Sequence, residues 1–268
     1  MPSYAYTIAN SGSNTQGLRA EDWLPHLALL DKDGMLEQAI GGFLIRSGDR
    51  VLLVDAGLGE FDSSLSEEAL AKAGLMSPWI PGDGGHLLAE MASLGVSPDD
   101  VTDVLFTHLH TDHIGWATHS GRPVFRNATY RCDERDWAHF ACPGTPVGDH
   151  LLPLSGQLET WSGTTSIAPG VDAQPAPGHT PGSAMIILSA GAERAMLLGD
   201  VVHCPVELLD DEWAGMGDLD PVLAARTREA MAREIEGGQV PVAGAHFPGM
   251  QFGRLLRAEG KRSWVFGD

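Results

Sequence analysis

At 268 residues, with 43% hydrophobic content, 33 glycines and 17 prolines, the chain reads as a globular, loop-rich protein of one large domain or two, not as a disordered one. Lys and Arg number 17 against 36 Asp and Glu, a formal charge of −19, so nucleic acid and anionic membranes are expected to be repelled over most of the surface. No apolar stretch reaches the length of a membrane span, no export signal is visible, and Cys132, Cys142 and Cys204 make neither a disulfide framework nor a CxxC site, so a cytoplasmic location is expected.

Residues 1–39 are weakly patterned. Gly41 to Ile45 and Val51 to Val54 are apolar runs around Ser47-Gly48-Asp49, a hairpin signal, and the second run ends in Asp55-Ala56-Gly57. A short helix is expected over Ser66 to Ala73, followed by a Pro- and Gly-rich connection carrying Trp79. Leu87, Leu88, Met91 and Leu94 give His86 to Leu94 a helical period, and Gly95 ends it.

The next run, Val104 to Phe106, reads as a buried strand and stops in Thr107-His108-Leu109-His110-Thr111-Asp112-His113. His108 and His110 are two apart, so an extended backbone points them to one side. Asp112 and His113 follow where the chain must turn. Imidazole nitrogens and a carboxylate gathered this closely suit zinc and its divalent neighbours.

Beyond this cluster, Pro123 to Phe125 and Ala128 to Arg131 read as a hairpin around Arg126-Asn127. Asp133 to Phe140 reads as a helix capped by Asp133, with His139 a surface or structural residue. Residues 141–165 read as loop, and His150 within them as solvent-facing. Val171 to Ala176 leads into Pro177-Gly178-His179-Thr180-Pro181-Gly182-Ser183. Ala184 to Leu188 follows, and then Ala195 to Leu198, which ends in Gly199-Asp200. Asp220 to Ile235 is the clearest helix, opening on an N-cap and Pro221 and stopping at Gly237-Gly238. Val240 to Ala245 repeats the strand pattern and ends in His246. The two halves are broadly similar in organisation, though not similar enough in sequence to establish a repeat.

Four strand ends thus carry candidate ligands in the order HxHxDH…H…D…H. In that order and spacing, from about Gly41 to about Gly249, the chain resembles the metallo-β-lactamase superfamily, and Val54 to Gly57, Pro177 to Gly182 and Leu198 to Asp200 agree with it. The resemblance implies an αββα sandwich, two mixed sheets face to face with helices outside, as a single domain over 1–268. It implies two divalent metal ions, zinc being expected. His108, His110 and His179 would hold the first metal, Asp112, His113 and His246 the second, and Asp200 would bridge them, with Asp55 supporting the ligand shell. Two divalent cations call for anionic charge, and Asp112 and Asp200 supply it. Metal binding lowers the pKa of water from about 15.7 towards 7, and a hydroxide bridging two metals would attack the substrate, so no Ser or Cys nucleophile is required. Gly-x-Ser-x-Gly as a strand–turn–helix element is absent.

His113 to Trp116, Asp200 to Val206 and Gly244 to Gly249 are similar to the branch of methyl-parathion-hydrolase-like and chlorothalonil-dehalogenase-like enzymes, with quorum-signal lactonases close by. The lactonases often carry a Tyr shortly after the bridging Asp, whereas here the only tyrosines are Tyr4, Tyr6 and Tyr130. Ser183 stands where many members have His. His203, three residues beyond Asp200, is the nearest replacement proton donor, or else a structural histidine beneath the site. Asp112, Asp200 and His203 are therefore the candidate catalytic residues. Trp116, Phe247, Trp213 and Met216 either wall an apolar pocket or pack the core.

The expectation is a metal-dependent hydrolase of a small ester-like substrate: a lactone, carboxylic ester, phosphotriester or activated aryl halide. The rivals are an iron-dependent redox member of the fold, such as a persulfide-dioxygenase-like protein, and a non-catalytic ligand-binding protein. Redox members complete one metal site and non-catalytic ones lose ligands, whereas this chain carries a full set. Assembly stays open, with a homodimer as one expectation.

Overall fold

The computed structural model describes residues 3–7, 20–30, 32, 35–59, 85–210, 213 and 217–267. The helix expected over Ser66 to Ala73, the connection carrying Trp79, and Met216 lie outside the described residues.

The weakly patterned start contributes a small antiparallel sheet of β1 (Ser3–Thr7) and β2 (Met35–Ala39). The expected hairpin follows as β3 (Phe43–Ser47) and β4 (Arg50–Val54), joined through Gly48 at φ +62. Helix α1 (Leu87–Ser93) then leads to β5 (Asp103–Leu105), which pairs parallel to β4. A one-turn helix, α2 (Thr111–Ile114), follows the strand, and β6 (Thr118–His119) pairs with β7 (Arg122–Pro123). Next come β8 (Thr129–Asp133), α3 (Glu134–Phe140), α4 (Pro146–Leu151) and β9 (Leu158–Trp161). The second half holds β10 (Thr165–Ala168), β11 (Val171–Pro175), β12 (Ala184–Ala190), β13 (Glu193–Leu197), α5 (Val206–Leu209), α6 (Pro221–Ile235), β14 (Val242–Ala243), β15 (Gly253–Ala258) and β16 (Lys261–Phe266).

One sheet has the order β3-β4-β5-β8-β9 and the other β10-β11-β12-β13-β14-β15-β16. Their apolar residues sort by period two into three layers. Leu52, Val54 and Leu105 face Ile186, Leu197 and Ala243 between the sheets. Val51, Leu53 and Val104 face outwards to a core with Met91 of α1 and Leu151 of α4. On the far side, Met185, Ile187, Met196 and Val242 pack with Met231 and Ile235 of α6. Burial on both faces explains why the central strands read as continuous apolar runs. The result is the αββα sandwich, with parallel pairs β4–β5 and β13–β14 at its centre.

Two local expectations are corrected. Residues 123–131 are not a hairpin: Pro123 pairs with Thr118, while both edges of β8 are taken in parallel register by β5 and β9. A turn does form, with Ala128 N–H donating to Phe125 O, but distant strands supply the partners. Residues 141–165 are not plain loop, since they contain α4 and β9. The overlooked signal was Thr145-Pro146, an N-cap whose side chain accepts from Gly148 N–H, followed by Pro in the first helical turn.

Candidate metal centre

Phe106 extends the buried strand by donating its N–H to Arg131 O at 2.8 Å. Thr107 is then pinned by Asp55, whose two carboxylate oxygens accept from the Thr107 N–H and hydroxyl, each at 2.8 Å. Asp55 sits at φ +60, a left-handed conformation that Asp tolerates better than most residues. Its Oδ2 lies 2.9 Å from His113 Nδ1, so it orients that ring from behind. Helix α2, one turn long, carries Asp112 and His113 back over His108, whose ring centroid is 4.0 Å from that of His113.

The opposite sheet contributes from three loops. His179 lies between β11 and β12, Asp200 follows β13, and His246 follows β14. Pairing in the sheet brings the last two together, with Leu198 N–H donating to Ala243 O at 2.8 Å. Gly199 takes φ +53, and a Cβ there would stand 2.7 Å from Thr107, so the two sheets approach too closely at this point for a larger residue.

All seven candidate ligands converge. One ligand atom each from His108, His110, His179 and Asp200 lie within 4.8 Å of one another, and so do those from Asp112, His113 and His246. Asp200 reaches both groups: its Oδ2 is 3.7 Å from His108 Nε2, 3.4 Å from His179 Nε2 and 3.2 Å from His246 Nε2, and its Oδ1 is 3.2 Å from His113 Nε2. His113 Nε2 and Asp200 Oδ1 are buried and face each other at 3.2 Å, and neither has a hydrogen-bond partner elsewhere. Orphaned nitrogen and oxygen donors of this kind fit a divalent cation.

The charge pattern fits as well. Burial, reinforced by neighbouring imidazoles, holds His108 well below the ordinary range and brings His110 to about 3. Burial works against the charged form of His113 too, but Asp200, Asp55 and Asp112 raise it well above the ordinary value. Burial likewise pushes Asp200 up, and the imidazoles of His246, His113 and His203 outweigh it and hold the carboxyl well below its usual range. The carboxylates thus favour positive charge at the middle of the cluster.

His203 belongs to the same cluster, its Nε2 3.2 Å from Asp200 Oδ2. Burial opposes its charged form, yet Asp200 and Glu207 bring it to about 10. Behind it runs a chain of buried charges that sequence reasoning missed. Glu207 Oε1 is 3.6 Å from His203 Nδ1, Arg228 Nε is 3.2 Å from Glu207 Oε2, Arg228 Nη2 donates to Asp218 Oδ2 at 3.4 Å, and Asp218 Oδ1 lies 3.0 Å from His179 Nδ1. A signal existed for Arg228: it occupies the buried stripe of α6 with Ala224, Met231 and Ile235, where a charge calls for a partner.

Other residues singled out in the sequence stand elsewhere. Phe247 is fully buried against Trp264, and Trp213 packs on Trp23, so both belong to core clusters. Trp116 packs in the core of the five-stranded sheet and also lines a cavity with Thr111, Gly115 and His150, so it serves in both of the expected ways. The Tyr130 hydroxyl donates to Ala117 O and accepts from Phe125 N–H. His150 is not solvent-facing: it is half-buried, its Nε2 3.0 Å from Ile114 O and its Nδ1 3.0 Å from Thr118 Oγ1. Among the described residues no helix is long and apolar enough to cross a membrane.

Comparison with known proteins agrees with this geometry. The family profile described as Metallo-beta-lactamase superfamily matches residues 42–246. An N-acyl homoserine lactonase of Bacillus thuringiensis is 24% identical over 208 residues, 75% of this chain and 79% of that one. The lactonase AiiB of Agrobacterium fabrum is 28% identical over 133 residues, 48% of this chain and 45% of its own length, so that match spans about half of each protein. Among solved structures, AidC, a dizinc quorum-quenching lactonase with a bound product, superposes with a TM-score of 0.78 at 21% identity, covering 99% of this chain and 91% of that one. A probable metal-dependent hydrolase from Staphylococcus aureus gives 0.76 at 19% identity, covering 100% and 94%. The family match spans most of the chain and the fold and clustered ligands accord with it: the chain belongs to the metallo-beta-lactamase superfamily and stands among hydrolases of that fold.

Proposed function

We propose that this chain is a dizinc hydrolase of small ester-like substrates, with lactones foremost. The observation that carries the reading is the Asp200 carboxylate, set within 3.7 Å of imidazoles from both ligand groups. In this reading His108, His110 and His179 would hold one metal, Asp112, His113 and His246 would hold the other, and Asp200 would serve both groups. When bound, the metals supply an acidified water as nucleophile and polarise the scissile carbonyl.

The chain's own residues do the rest. Asp55 and Asp218 fix the rings of His113 and His179 from behind. Ala39 O, 2.9 Å from His246 Nδ1, sets the remaining nitrogen of His246 towards the site. His203, beside Asp200, is the donor that protonates a departing alkoxide. Lactonase relatives favour a cyclic ester over the phosphotriester and aryl halide alternatives. Strands β15 and β16 extend the same seven-stranded sheet beyond the family match, which supports one domain over 1–268.

The test is elemental analysis of the purified protein, followed by turnover of an N-acyl homoserine lactone, an alkyl ester and a phosphotriester, before and after chelation and zinc readdition. Two metals per chain and zinc-restored lactone hydrolysis are expected. One tightly bound metal, with the second absent even at saturating zinc, would sink the dinuclear reading.

A further inference from the structure

Asp136 stands on α3, outside the ligand set, yet its side chain is completely buried. Its Oδ2 accepts from Leu109 N–H at 3.1 Å and from the Thr180 hydroxyl at 2.9 Å, and its Oδ1 accepts from Gly182 N–H at 2.6 Å. Leu109 lies between His108 and His110, and Thr180 follows His179 directly. One carboxylate therefore ties the loop of the first sheet to the loop of the second at the three histidines of one ligand group. None of its hydrogen bonds reaches Asp112, His113 or His246.

We propose that Asp136 is a positioning residue that clamps the His108–His110–His179 group across the two sheets, and that the other group does not depend on it. The inference rests on the metal-site reading above. Charge supports the asymmetry: one group contains its own carboxylate, Asp112, while the other has three imidazoles and only the shared Asp200. The chemistry of the clamp is also strict. Both backbone partners are donors, one on each carboxylate oxygen, so either orientation of an Asn side chain would set its NH2 against an N–H.

The experiment compares Asp136→Asn with the wild-type protein in two arms. In metal-free protein, amide exchange at Leu109 and Gly182 is expected to accelerate about tenfold or more, while Thr107, bonded to Asp55, keeps its wild-type rate. In zinc- or cobalt-loaded protein, one equivalent of metal is expected to be lost about 10–100-fold more readily to a graded chelator. The other equivalent holds, and only part of the cobalt visible spectrum changes. Thr180→Val, which removes one of the three bonds, should move both readouts the same way by less and serves if Asp136→Asn fails to fold. Unchanged exchange at Leu109 and Gly182, or equal weakening of both equivalents, overturns the clamp. A wild-type protein that binds fewer than two metals counts against the dinuclear reading instead, and the exchange arm then decides the clamp alone.

Discussion

From the five-stranded sheet, His108, His110, Asp112 and His113 leave a single strand end within six residues, whereas the seven-stranded sheet delivers His179, Asp200 and His246 from three separate loops. The first set is placed by local geometry: a short extended segment, then one helical turn, pinned by Asp55. The second set is placed by strand pairing and by the buried run His203–Glu207–Arg228–Asp218–His179. The first set also leans on distant contacts, from Asp55 and Asp136, but its spacing is fixed within one short segment, whereas the spacing of the second set exists only through packing by residues that touch no substrate or metal directly. Mutations on the two sides should therefore fail differently.

The largest effect is expected at Asp200, the residue both groups share. Asp200→Ala should reduce turnover to background and lower metal content on both sides, read by elemental analysis. Retained activity with two metals bound would contradict a shared role. Next comes Arg228→Met, a change remote from the ligands on the packing-dependent side. It strands the Glu207 and Asp218 carboxylates in the interior and should cost about 3–5 kcal/mol, measured by denaturant unfolding. A loss below about 1 kcal/mol would mean that the charge run does not organise this side.

His203→Ala sharpens the contrast within the cluster. General acid catalysis is worth about 10²-fold or more, so lactone or alkyl ester turnover should fall by that factor while a nitrophenyl ester, whose leaving group departs unaided, is nearly spared. Equal losses on both substrates, with metal content unchanged, would assign His203 to holding Asp200 instead. Gly199→Ala probes the contact between the sheets: strain at φ +53 and a 2.7 Å approach to Thr107 should together cost about 1–3 kcal/mol. Gly95→Ala, at φ +68 with nothing within 4 Å, is the control that carries backbone strain alone, and an equal loss there would deny the steric part.

The smallest effect lies away from both groups. Arg262 and Arg233 hold Glu229 down to about 2, from an ordinary 4.5. A depressed carboxylate contributes stability above its unfolded pKa and loses it as pH falls towards the folded value. Glu229→Gln should therefore lower Tm by about 1–2 °C at pH 6, a discounted figure for a partly exposed pair, and the difference should close as pH drops from 4.5 towards 2. A gap that widens on acidification would reverse the sign and exclude this origin.

Much of the molecule was legible in the chain itself. Continuous apolar runs, buried on both faces, mark β4, β5, β12 and β13, and Asp220-Pro221 announces α6. Ligand-type residues at strand ends name all seven groups that the structure brings together. These features are local, and propensity, capping and side-chain chemistry act over a few residues, so they can be read in a line. Strand partners, the burial of His150 and the roles of Asp136, Glu207, Asp218 and Arg228 were not legible, because each depends on a neighbour tens of residues away. A buried charge differs from a surface charge only in what folds against it. That was decided by tertiary packing: Asp136 lost water where the two sheets close and bonded to loops of both, and Arg228 lost water under α6 and paired with Glu207 and Asp218.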